Sequence, residues 1–143
     1  MAAVAFHFNV PSRRDHAARL LRKAYRSGAR VAVTGDAALL TELDRQLWLM
    51  DPLEFIPHWR GESVAALPAR LAATPIVLLR TPSPQSGHTV LVNLGETLVP
   101  GWEHFERVIE VVGRSEPERA EARQRWRAYK ECGVSIEQHE VQS

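Results

Sequence analysis

Strand-like and helix-like segments alternate through the first third of the chain, and this alternation constrains the fold more than any other feature. Residues 3–10 are rich in Val and Phe, as expected of a strand. Residues 12–27 begin with a Ser that can cap a helix and carry apolar side chains at helical spacing. Residues 29–34 form a short apolar run, and a second helix follows to about Trp48. This order predicts parallel strands joined by right-handed crossovers.

The rest of the chain continues the pattern less regularly. Residues 75–80 and 89–94 are predicted strands joined by a turn rich in Pro, Ser and Gly. Residues 105–112 suit a strand or a buried helical turn, and residues 134–141 suit a last extended segment. Residues 51–75 hold four prolines and only short apolar pieces, so we expect mostly connection and surface there. The sequence therefore predicts a three-layer α/β fold with a mostly parallel sheet.

Length and composition favour a single domain over residues 1–143. Hydrophobic residues make up 45% and charged residues 24%, as is ordinary for a globular protein with its own core. The one cysteine, Cys132, excludes an internal disulfide framework and a cysteine-based zinc site. The first residues lack the pattern of a secretion signal, and no apolar run approaches the ~20 residues of a membrane span. We therefore expect a cytoplasmic protein without a membrane segment.

A helix predicted after Ser115 carries the most suggestive chemistry. Ser115 can cap it, Pro117 suits its first turn and Gly133 can end it. At ~100° per residue, four basic side chains fall within about a quarter of its circumference. They are Arg119, Arg123, Arg127 and Lys130. Trp126 borders this basic arc and, with Ala122 and Tyr129, forms the stripe predicted to face the core.

The charge of this helix is local. From Arg119 to Lys130 there are five basic residues and one acidic residue, whereas the whole chain has 18 Lys plus Arg against 17 Asp plus Glu. A nearly neutral protein with a basic edge beside apolar surface suits a small acidic peptide better than a long polyanion. At this point an ordinary solvated helix with core aromatics remains an alternative.

The sequence gives little sign of enzyme chemistry. Its glycines are scattered singly, so neither a dinucleotide-binding turn nor a phosphate-binding loop is present. The six histidines lie far apart without paired metal-ligand spacing, and no Gly-x-Ser-x-Gly sequence occurs. We therefore expect no catalytic residue, no metal and no cofactor.

Several short sequences, taken in order, point to a family. They are Phe6-His-Phe8, Ser27-Gly-Ala-Arg-Val31, Leu47-Trp48, Phe55-Ile-Pro-His58, and Arg123-Gln-Arg-Trp-Arg-Ala-Tyr129 followed by Gly133. Together they resemble the chi subunits of bacterial DNA polymerase III holoenzyme, over essentially the whole chain. The resemblance implies a non-catalytic, Rossmann-like accessory subunit of the clamp-loader assembly that acts in DNA replication. It also implies binding to the acidic C-terminal tail of single-stranded DNA-binding protein, which ends in Pro-Phe.

The resemblance assigns residues to this tail. Arg123, Trp126 and Arg127 match the family's basic, aromatic and basic tail-binding positions, and Val112 matches its apolar wall. Trp126 stands where Tyr is familiar and Arg127 where Lys is, and both changes keep the chemistry. With the remaining basic arc and a second candidate wall, the full predicted set is Val112, Arg119, Arg123, Trp126, Arg127, Lys130 and Val134.

A second surface is implied at the end of the second predicted helix. In the family this region docks the psi subunit, which contacts the clamp loader, and the matching residues are Trp48, Phe55, Ile56 and Pro57. Ordinary core packing under a loop is an equally good interpretation of Trp48 and Phe55. DNA is then an indirect partner, reached through single-stranded DNA-binding protein.

Two functions of other classes remain as alternatives. One is a stand-alone single-stranded nucleic-acid-binding domain in which the basic helix follows phosphates and Trp126 or Trp59 stacks on bases. A net charge of only +1 disfavours it. The other is a nucleotide-utilising enzyme on a Rossmann-like sheet, which the missing phosphate loop disfavours.

Overall fold

The computed structural model describes residues 2–50, 55–83 and 86–141. Within these residues there are three α-helices and seven strands, which alternate regularly only in the first third of the chain. The helices are Arg13–Arg26 (α1), Ala37–Leu49 (α2) and Glu116–Glu131 (α3). The strands are Ala3–Val10 (β1), Val31–Thr34 (β2), His58–Ser63 (β3), Ile76–Thr81 (β4), Val90–Asn93 (β5), Arg107–Gly113 (β6) and Ile136–Glu140 (β7).

All the paired strands form one sheet, in the order β3-β4-β2-β5-β6-β1-β7. Every pairing in it is parallel. The predicted α/β class is therefore confirmed, and the sheet is all-parallel over the described residues rather than mostly so. Because parallel strands need long crossover connections, the helices lie on the two faces of the sheet and make three layers.

The first two helices begin and end as their sequences predict. Ser12 caps α1 by accepting a hydrogen bond from the Asp15 amide, and Asp36 caps α2 through the Leu39 amide. Gly28 follows α1 with a φ of 81°, a left-handed conformation that side chains other than glycine rarely adopt. None of the helices in the described ranges is long and apolar enough to cross a membrane.

The alternation of side chains along β6 divides the core into two halves. Ile109 and Val111 pack with α1 and α2 on one face of the sheet, and Val108 and Val112 pack beneath α3 on the other. Residues 105–112, which suited two structures, therefore form a strand over most of their length. The two halves place α1 and α3 on opposite sides of the molecule.

One predicted segment is partly wrong. Within residues 51–75, expected to be mostly connection, His58–Ser63 forms β3 at the edge of the sheet, paired with β4. Its sequence is polar because an edge strand buries little of either face, so it lacks an apolar pattern. The Trp59 ring lies across Gly61, so a Cβ at this position would fall 2.2 Å from the ring and the ring would have to shift. Residues 51–54 of the same prediction lie outside the described residues.

Candidate functional site

Helix α3 is held close to the end of β6 by its first turn. The Ser115 hydroxyl accepts a hydrogen bond from the Glu118 amide, and the Glu118 carboxylate accepts one from the Ser115 amide, which completes a capping box. Glu118 also forms an ion pair of 2.7 Å with Arg13 of α1. At Gly113 a Cβ would lie 2.4 Å from the Glu118 carboxylate, so glycine permits this close approach. The start of α3 is therefore fixed to both β6 and α1.

A buried polar cluster fixes the rotation of α3. Glu110 of β6 is fully buried and accepts hydrogen bonds from Arg125 Nε at 2.9 Å and from the Tyr129 hydroxyl at 2.7 Å. Asn93 donates to the same carboxylate at 3.1 Å, and Arg125 also donates to the Glu96 carbonyl at 2.7 Å. Burial raises the pKa of Glu110, while the Arg125 guanidinium acts in the opposite direction.

The sequence did not indicate the role of Arg125 in this cluster. Arg125 was counted with the basic excess of α3, but only 5% of it is exposed and Glu110 neutralises it. Glu110 itself was overlooked. An acidic residue in the middle of the apolar run of β6 needs a buried partner, and that was the available signal. Tyr129 faces the core as predicted, and burial together with the neighbouring Glu110 raises its pKa.

An open groove of about 570 Å³ runs between α3 and the strands beside it, and we call it the α3 groove. Its lining combines aromatic and aliphatic side chains with three guanidinium groups. The lining residues are Phe6, Phe8, Val112, Arg119, Ala122, Arg123, Trp126, Arg127 and Gln138. Five of the seven residues predicted to bind an acidic tail are thus brought together in one groove.

Aromatic packing shapes the apolar part of the α3 groove. The Phe6 ring meets Trp126 edge to face, with ring centroids 5.2 Å apart, and contacts Tyr129 in the same way at 5.9 Å. Trp126 is half-buried, and Lys130 Nζ lies 5.6 Å from the centre of its ring. Lys130, a sixth predicted residue, therefore borders the groove through Trp126.

Arg119, Arg123 and Arg127 form the cationic rim of the groove, and one of them already binds a carboxylate within the chain. Arg123 Nη2 donates to Glu116 Oε1 at 2.9 Å, and both side chains are exposed. This hydrogen bond and the charge of Arg123 lower the pKa of Glu116. Arg123 is thus placed to bind carboxylates in water, where a surface ion pair is weak and readily exchanged.

The seventh predicted residue, Val134, lies elsewhere. It is buried in the core half beneath α3 and does not line the groove. The chain returns toward the sheet after Gly133, so Val134 points inward at the start of the path to β7. The strand residues Phe6, Phe8 and Gln138 were missed as groove residues, although the alternation of side chains along β1 puts both Phe residues on one face.

A second exposed surface lies at the end of α2, and we call Trp48, Leu49 and Phe55 the aromatic patch. Their exposed fractions are 56%, 70% and 55%, which is unusual for large apolar side chains. The Trp48 and Phe55 rings lie 5.0 Å apart, and Trp48 also contacts His58 at 5.0 Å. Trp48 and Phe55 are therefore surface residues, and core packing is not their role. Leu49 was not among the predicted residues.

The other two residues predicted for this surface, Ile56 and Pro57, are less exposed than Trp48 and Phe55. Ile56 is fully buried in the core half beneath α1 and α2, so its prediction as a surface residue is wrong. The side chains of these two neighbouring residues therefore differ, since Phe55 is exposed and Ile56 is buried. Pro57 is half-buried. Trp59, an alternative base-stacking residue, packs against the core half beneath α3.

Comparisons with known proteins identify the family of the chain. Residues 1–137 match the family described as DNA polymerase III chi subunit, HolC. The chain is 36% identical over 128 residues to DNA polymerase III subunit chi of Pseudomonas aeruginosa, covering 87% of this chain and 84% of that protein. It is 28% identical over 129 residues to the subunit of the same name from Haemophilus influenzae, covering 87% and 85%. The chain therefore belongs to the DNA polymerase III chi subunit family.

Proposed function

We propose that this chi-family subunit is a non-catalytic adaptor that binds the acidic C-terminal tail of single-stranded DNA-binding protein in the α3 groove. Through the psi subunit it would connect that tail to the clamp loader during DNA replication. The observation that carries the proposal is the combination of three arginines with an aromatic wall in one groove. Neither feature alone would select this ligand.

The tail is an acidic peptide that ends in Pro-Phe, so it offers a terminal carboxylate beside a terminal ring. Arg123 and Arg127 suit the carboxylate, because a guanidinium donates two parallel hydrogen bonds to it. Trp126, Phe6 and Val112 suit the ring, since they form the apolar side of the same groove. The Asp side chains upstream would lie along Arg119 and Lys130.

Isothermal titration calorimetry with synthetic tails tests this proposal. Removing the terminal Phe should weaken binding about ten- to a hundredfold, because burying such a ring contributes about 1.5–3 kcal/mol. Raising the salt concentration should also weaken binding, since exposed charges are screened beyond ~10 Å at 0.1 M. Equal affinity for the intact and the Phe-less tail would contradict the apolar half of the proposal.

The aromatic patch is the part of the surface that favours psi docking. Large exposed apolar side chains that already pack on one another form a ready contact area for a partner. The patch lies at the end of α2, on the side of the sheet away from α3. Psi and the tail would then bind at the same time, which an adaptor requires.

A further inference from the structure

Of the three described α-helices, α1 has the largest excess of basic over acidic residues. This helix has six basic residues and one acidic residue, Asp15. By contrast, α3 has five basic and four acidic residues, and one of its basic residues is the buried Arg125. Charge counted along the sequence therefore directs attention to α3, whereas charge on the folded surface directs it to α1.

Three cations of α1 form a row on its outer side. Arg19, Lys23 and Arg26 are exposed and stand four and three residues apart, so they share one helical face and span about 10 Å along the axis. The opposite side of the helix is buried through Ala17, Ala18 and Leu21. The row therefore points away from the core.

The surroundings of this row add positive charge and contain few acidic groups that could pair with its cations. Lys23 borders a cavity whose lining includes Arg107, and the guanidinium of Arg107 adds positive charge beside the row. Asp15 is on the same side, but Arg14, Gln46 and Ser12 already hydrogen-bond its carboxylate. Among the residues that line the cavity in the described part of the chain, Glu137 is the acidic one. Arg19, Lys23 and Arg107 form no ion pair with any part of the chain that the structure describes.

We propose that the exposed row Arg19, Lys23 and Arg26 binds the phosphate backbone of single-stranded DNA. A line of cations without an aromatic wall suits a polymer with regularly spaced charges, whereas an acidic peptide ending in Phe suits the α3 groove. The row lacks side chains that stack on bases, so binding is weak, independent of sequence and sensitive to salt. Because α1 and α3 lie on opposite faces of the sheet, DNA and the tail bind together.

Fluorescence anisotropy of a labelled oligothymidine with the full chain, in the absence of other proteins, tests the row directly. Three phosphate contacts predict a loss of about twentyfold in affinity between 50 and 200 mM salt. The double variant Arg19→Gln with Lys23→Gln should lower affinity at low salt by about tenfold or more and reduce the salt slope by about 1.4. Tail affinity of the same variant should stay within about twofold.

The matched control removes the same charge elsewhere. Arg70→Gln with Arg80→Gln changes two exposed arginines away from α1 and should leave DNA affinity within about twofold. Equal losses in the two double variants would mean that only net charge matters, and undetectable binding by the unmodified chain at low salt would also overturn the proposal. The proposal would also be overturned if the α1 double variant lost affinity for an oligoglutamate peptide but kept its affinity for DNA. The row would then be a binding site for an acidic protein. Thermal melting checks that both variants fold.

Discussion

The α3 groove and the aromatic patch are two exposed apolar surfaces that are constructed differently. The groove surrounds an aromatic wall with three arginines, and a buried cluster around Glu110 fixes its helix. The patch consists of three exposed apolar side chains at the end of α2. Binding a charged ligand requires hydrogen-bond donors in the correct orientation. Binding an apolar surface depends mainly on the apolar area that is buried. We therefore expect binding in the groove to depend on salt and on helix orientation, and binding at the patch to depend on neither.

The largest expected effect is a loss of folding stability when the buried cluster beneath the groove is disrupted. Glu110→Ala leaves Arg125 buried without its partner, which typically costs about 3–5 kcal/mol of folding free energy. Thermal and urea unfolding measure the loss, and tail titration at low temperature should show weakened binding. Glu116→Ala is the control, because it removes the exposed partner of Arg123 and should leave the melting temperature unchanged. A Glu110→Ala variant as stable as the parent would show that the cluster does not support the groove.

The next effect tests the cationic rim. Arg123→Ala should weaken tail binding about ten- to a hundredfold, because a charge-assisted hydrogen bond contributes about 1.5–3 kcal/mol. Stability should change little, since Arg123 is exposed. Calorimetry with Arg70→Ala, another exposed arginine, gives the background effect of losing one charge. Equal affinities of the two variants would remove Arg123 from the site.

A smaller effect is expected at the aromatic patch. Phe55→Ala should weaken psi binding by about fivefold, since about half of the ring is already buried and about 1 kcal/mol remains to be gained on docking. Tail affinity should stay within about twofold. The reciprocal variant Trp126→Ala should impair tail binding and spare psi. Loss of both activities in Phe55→Ala, with a lower melting temperature, would mean that Phe55 supports the fold and not an interface.

The last effect, which is measured on stability and not on binding, is a pH dependence. Burial lowers the pKa of His7 to about 4, and nearby His16, His139 and Arg107 act in the same direction. The unfolded chain, with an ordinary His pKa of 6.5, binds more protons between these values, so stability should fall as pH decreases from about 6.5 to 4. His7→Phe should flatten this profile in thermal melts. Tail affinity should not follow the profile while the chain stays folded, because His7 lies on the sheet face opposite the α3 groove.

The sequence predicted those parts whose local pattern has one physical interpretation. The first two strands and helices follow from apolar periodicity and caps, and the arc containing Arg123 and Trp126 follows from helix geometry. The edge strand His58–Ser63 was missed, because partly exposed strands carry polar residues. The role of Arg125 was not predicted, because its helical spacing from Ala122 and Tyr129 indicates a buried face but does not reveal a partner for the charge. Its position depends on Glu110, which is fifteen residues away on another element.

The Glu110–Arg125 pair also affects how this protein can change during evolution. A single substitution at either position leaves a buried charge without its counterpart, whereas replacing both by apolar residues of similar volume is often neutral or stabilising. Intermediate sequences are therefore disfavoured, and the two positions should vary together among relatives. A chain that has lost both would have to orient the same helix by apolar packing alone. Covariation at these positions would identify lineages in which apolar packing replaced the buried ion pair beneath α3 while the arginines of the groove were kept.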